Sequence, residues 1–77
     1  MPMTKEKVKK IAVRKLWKAE RVEEVVSVET TELYEETIVG EALCHIDTMK
    51  GKPVVCEFVI HEDDDGDWYL DRLALKK

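Results

Sequence analysis

The sequence predicts an α+β domain with one N-terminal amphipathic helix packed on a curved four-stranded antiparallel meander. Three observations carry this prediction. Apolar residues recur at helical spacing up to Arg21 and alternate after Val22. Four runs rich in β-branched and aromatic residues follow one another with connections too short for parallel crossovers. Two of those connections, MKG (49–51) and DDG (64–66), end in glycine, where a three-residue hairpin loop needs a left-handed residue.

The helix is expected over about residues 4–21. Thr4 is its N-cap, because a hydroxyl there accepts a bond from one of the orphan N–H groups of the first turn. Val8, Ile11, Ala12, Leu16 and Ala19 form one apolar stripe, widened by Val13 and Trp17, while most of the lysines and arginines fall on other faces. The strands are expected over about 25–33, 37–47, 53–61 and 68–75, with Gly40 as a bend or bulge.

Symmetrical closure of MKG sets Cys44 opposite Cys56 and Ala42 opposite Phe58. Ile38, Ala42, Cys44, Ile46, Val54, Cys56, Phe58 and Ile60 then share an apolar face that receives the helix. The DDG turn adds Trp68, Leu70 and Arg72 to that face. A two-residue Asp65-Gly66 turn would move these three to the other side. The opposite face carries Val39, Leu43, Val55, Val59, Leu73 and Leu75 among Glu41, His45, Glu57, His61, Tyr69 and Asp71. A single helix covers only one side of a sheet, so these six apolar residues are the expected interface of a homodimer or of a protein partner.

Gly40-Glu41-Ala42 midway along the second strand, and Asp65-Gly66-Asp67-Trp68-Tyr69-Leu70-Asp71 near the end, resemble patterns in small members of the cystatin-like roll. The nuclear-transport-factor-like superfamily shares that architecture. The resemblance covers roughly residues 5–75 and implies a helix lying on a curved sheet. Members usually carry further N-terminal helices, so a single helix implies a smaller pocket. The superfamily holds enzymes and binding modules alike, and the fold does not choose between them.

Composition narrows the functional classes. Seventy-seven residues support one domain with one small core. No apolar run is long enough to span a bilayer. The N-terminus MPMTKEKVKK lacks the apolar core of a signal peptide, so a cytoplasmic location is expected. Two cysteines are too few for a disulfide framework and are expected as free thiols. The net charge of −4 combines about +6 in residues 1–21 with about −10 in the remainder. The helix cations are expected as a solvated face, since no aromatic series interleaves them, and nucleic acid is an unlikely partner.

Several constellations can be weighed as chemistry. In HEDDDGDWYLDRL (61–73), placing Asp63, Asp65 and Asp67 as calcium ligands puts Trp68 where an EF-hand needs glycine and Ala74 where it needs glutamate. The acids therefore read as a charged hairpin turn. His45, His61 and Glu57 do not make a zinc set at useful spacing, and no metal or other cofactor is expected. Cys44 and Cys56 lie on an apolar face rather than beside the cation that activates a thiol. His61, Tyr69 and Asp71 share the outer face and are the candidate acid–base residues. Arg72, the one charge on the helix-facing side, is the candidate for holding an anionic ligand in a pocket beneath the helix. The favoured expectation is a non-enzymatic interaction or small-ligand-binding module that dimerises through the sheet. The alternatives are a small enzyme with a pocket between helix and sheet, and a charge-based inhibitor of a nucleic-acid-handling protein.

Overall fold

The computed structural model describes residues 4–49 and 51–76. It has one helix, α1 (Lys5–Trp17), and four strands, β1 (Val22–Tyr34), β2 (Thr37–Ile46), β3 (Val54–Glu62) and β4 (Trp68–Leu75). The strands form one antiparallel sheet in the order β1-β2-β3-β4, with α1 packed against β1 and β4. This is the predicted α+β arrangement, an open and curved meander covered on one side by a helix. No helix among the described residues is long and apolar enough to cross a membrane.

Thr4 caps α1 as expected, its Oγ1 accepting from the backbone N–H of Lys7 at 3.1 Å. Val8, Ala12 and Leu16 are the buried stripe. The helix stops four residues before the expected end. Ala19 N–H bonds to the Leu16 carbonyl and Val22 N–H to the Ala19 carbonyl, so two successive turns replace the last helical turn. Continuing the helix would cost Val22 its place in the sheet, where it is buried opposite Ile46. Trp17 is left about half exposed at 49%.

β1 departs most from simple alternation. Its core-facing residues Val22, Val25, Val28 and Thr31 come every third position, yet they oppose Ile46, Cys44, Ala42 and Gly40, which come every second. Register shifts leave Glu23, Val26 and Glu29 without partners, making three bulges in succession. Each bulge adds right-handed twist, so β1 coils strongly along its length. Gly40 lies where this strand presses closest. A Cβ built there would sit 2.0 Å from the Thr30 carbonyl oxygen and 2.8 Å from the Phe58 ring, so only glycine fits.

The β2–β3 register differs from the expected one by two residues. Ala42 opposes Cys56, Gly40 opposes Phe58, and Cys44 opposes Val54. The chain leaves β2 early because Met49 N–H turns back to the Ile46 carbonyl. On the other side Pro53 has no N–H with which to extend the ladder. Lys50, the middle of the expected MKG turn, lies outside the described residues. A shift of two preserves the faces, and the predicted core of Ile38, Ala42, Cys44, Ile46, Cys56, Phe58 and Ile60 is buried.

The β3–β4 hairpin closes as the DDG reading requires. Gly66 has φ +85°, Asp63 N–H bonds to the Asp67 carbonyl, and Glu62, His61 and Ile60 oppose Trp68, Tyr69 and Leu70. Beyond that point a bulge intervenes, so that Val59 opposes Arg72, Phe58 opposes Leu73, and Cys56 opposes Leu75. The extra residue is Asp71. It reverses the expected sides of everything that follows. Leu73 and Leu75 turn to the helix-facing side, where Leu73 packs against the core, and leave the outer face on which they were expected. Arg72 moves the other way and lies exposed on the outer face beside Val59, not beneath the helix.

Candidate functional site

The bulge brings three strands to one histidine. Nε2 of His61 on β3 lies 3.2 Å from an Asp71 carboxylate oxygen on β4, and its Nδ1 lies 2.9 Å from the Thr37 hydroxyl on β2. The Tyr69 ring stands beside the imidazole, with centroids 5.9 Å apart and a tilt of 46°. An ionised carboxylate only accepts hydrogen bonds. Nε2 therefore carries the proton, and in the neutral ring Nδ1 accepts the Thr37 O–H. The result is a chain from hydroxyl to imidazole to carboxylate. Its chemical order is that of a nucleophile, a base and an orienting acid.

His61, Tyr69 and Asp71 are thus brought together, as their shared face implies. Thr37 completes the group and was not legible at the outset. In the expected register His61 stands opposite Val39, and the two-residue shift brings it opposite Thr37. Asp71 is half exposed, with a side-chain accessibility of 51%, so the chain is bathed in water rather than sealed from it.

The remainder of the outer face alternates apolar and charged rows. Val39 opposes Val59, Glu41 opposes Glu57, and Leu43 opposes Val55. The two facing glutamates repel, and Lys76 reaches across to relieve this, its Nζ 2.6 Å from Glu41. The hydrogen bond and attraction from Glu41 hold the lysine pKa above its ordinary value. A shallow groove of about 450 Å³ runs over Val39, Gly40, Glu41, Glu57 and Val59.

Other candidate chemistry is dispersed. His45 opposes Glu24 on β1, while His61 opposes the residue eight positions earlier on β2, which sets the two histidines about 27 Å apart along the strand. Asp63 is held within its own turn, one carboxylate oxygen accepting the N–H groups of Asp65 and Asp67 at 2.9 Å each. No cluster of three metal-ligating residues occurs among the described residues. Cys44 and Cys56 are buried and free. Burial, with the neighbouring Cys56, pushes the Cys44 thiol up to about 11, and burial raises Cys56 as well. Both are uncharged at neutral pH and unsuited to thiolate chemistry.

Cavities open at both ends of the helix side. One of about 520 Å³ lies between Lys5 and Val8 of α1 and the end of β1. The other, about 260 Å³, lies at the opposite end, where Arg21, Ile46 and Leu73 meet. Neither is lined by His61, Tyr69 or Asp71. No protein family matches the chain, and no curated protein or solved structure matches it.

Proposed function

We propose that the protein is a non-enzymatic interaction or small-ligand-binding module that pairs with a second copy of itself through the outer face of the sheet. The observation behind this reading is the apolar group Val39, Leu43, Val55 and Val59. They form two facing pairs across β2 and β3, Val39 with Val59 and Leu43 with Val55, on either side of the Glu41–Glu57 row and on the side that α1 leaves uncovered. A two-fold contact must be self-complementary, and this face carries both signs of charge. Glu41, Glu57 and Asp71 stand among Arg72 and Lys76, so a second copy can set cations against carboxylates while the valines meet. With Leu73 and Leu75 on the other side, the contact centres on β2 and β3. Two buried free thiols suit the reducing conditions of the cytoplasm.

Light scattering on a sizing column tests this directly. The expected mass is that of two chains, and Val59→Glu should give one chain with unchanged circular dichroism. A wild-type monomer at high concentration sinks the dimer.

A second reading, a small enzyme, is favoured by the Thr37–His61–Asp71 chain. There His61 is the general base for the Thr37 hydroxyl and Asp71 orients the ring. Turnover of activated esters that disappears in both Thr37→Val and His61→Ala would support it. Turnover unaffected by either change would end it.

A further inference from the structure

The cavity of about 260 Å³ at the Arg21 end arises from two departures described above. The bulge at Asp71 turns Leu73 and Leu75 toward the helix side, and α1 ends at Trp17, before it can cover them. Leu75 consequently remains 45% exposed, although it stands opposite Cys56, which is 1% exposed. Ile46, Cys56, Leu73 and Leu75 supply apolar walls, and Arg21 and Thr48 are the polar residues of the lining. Among the described residues Arg21 forms no ion pair. No acidic residue lines the cavity.

We propose that this cavity binds a small organic carboxylate with an apolar body, of the size of a short-chain fatty acid. The apolar part displaces water from the leucine and isoleucine walls, which is the usual source of affinity in such sites. The carboxylate meets the Arg21 guanidinium, whose planar fork matches its two oxygens, and the Thr48 hydroxyl donates to a remaining lone pair. The cation expected to hold an anionic ligand beneath the helix was Arg72. The bulge removes Arg72 and turns two leucines in, and the shortened helix supplies Arg21 in its place. This inference rests on the ligand-binding half of the function proposed above. It is independent of dimerisation, since the cavity lies on the helix side and the proposed contact on the outer face.

The test is a titration of the isotopically labelled full chain, followed by amide NMR, with hexanoate and with hexanamide as the uncharged comparator. Saturable shifts should centre on Arg21, Thr48, Leu73 and Leu75, with hexanoate binding about tenfold tighter than hexanamide. Arg21→Gln should abolish that preference, and Arg21→Lys should keep part of it. Arg21 is exposed, so neither change threatens the fold, and circular dichroism on the same samples verifies this. Leu75→Trp, which fills the mouth, should weaken both ligands. Equal affinity for the two ligands, shifts centred elsewhere or no saturation would each overturn the proposal. The oligomeric mass of each sample, measured in parallel, reports separately on the dimer.

Discussion

The carboxylate of Asp71 lies 3.2 Å from Nε2 of His61, although Asp71 is the one residue of its strand that has no partner in the ladder. The two facts share a cause. An extra residue in β4 points its side chain at the neighbouring strand, and it reverses the faces of every residue after it.

Removing Asp71 altogether should therefore leave the faces of the rest of β4 as they are, much as trimming its side chain does. Deletion restores an unbroken ladder in which Arg72 still opposes Val59, Leu73 still opposes Phe58 and Leu75 still opposes Cys56. Asp71→Ala removes only a half-exposed contact with His61 and should cost no more than about 1 kcal/mol. Urea unfolding of the two variants should agree to within about 1 kcal/mol, and a loss of about 3 kcal/mol or more on deletion alone would mean that the faces after the bulge are not kept.

Gly40→Ala should destabilise the sheet by about 3 kcal/mol, because the added methyl meets the backbone oxygen of Thr30 and not only the Phe58 ring. Shortening the ring in Gly40→Ala/Phe58→Leu leaves the backbone clash in place. Thermal unfolding should accordingly show no recovery in the double variant relative to Gly40→Ala.

Stability should fall on the alkaline side through the thiols. Cys44 is raised from an ordinary 9.0 to about 11, chiefly by burial. Below the lower value both the native and the unfolded chain hold the proton, and the thiol adds no pH dependence. Between the two values the unfolded chain releases a proton that the native state keeps, so stability declines as pH rises. The slope contributed by Cys44 approaches about 1.4 kcal/mol per pH unit at most. Lys76 is raised by its bond to Glu41, and that contribution also disappears as the amine loses its proton. Denaturant unfolding across this window should show a shallower slope for Cys44→Ala than for the wild type, and an identical slope would refute the thiol assignment.

Asp63→Ala should loosen the β3–β4 hairpin by about 1–2 kcal/mol through loss of two backbone hydrogen bonds, while Asp64→Ala should be nearly neutral. Calcium in millimolar excess should leave the melting temperature of the wild type unchanged, since the best-placed carboxylate of the loop is already occupied by N–H donors. A calcium-dependent rise in that temperature would reopen the loop as a cation site.

Much of the architecture was legible because it depends on periodicity and turn chemistry. The apolar stripe of Val8, Ala12 and Leu16, the Thr4 cap and the left-handed Gly66 each follow from a local rule. What escaped was decided by counts that alternation does not record. Val22, Val25 and Val28 stand three apart, and that spacing is the visible trace of a repeatedly bulged strand. Nothing local marks Asp71 as an extra residue, because an acid within a strand reads equally as an ordinary outward position. The group around His61 was legible in the same proportion. Tyr69 and Asp71 share its face in the register that the DDG turn sets, whereas Thr37 depends on where β2 leaves the sheet.

The three bulges of β1 also bear on whether other strands can add to the edge of the sheet. A sheet edge invites other chains when it offers a straight, evenly spaced row of free N–H and C=O groups. β1 is an edge strand of 13 residues, long enough to template such pairing. With its spacing broken at Glu23, Val26 and Glu29, no regular strand can stay in step along it. Two of those three positions are carboxylates, which a fibril would have to stack without solvent. The irregularity that shapes the curve of the sheet is thus also its defence against aggregation.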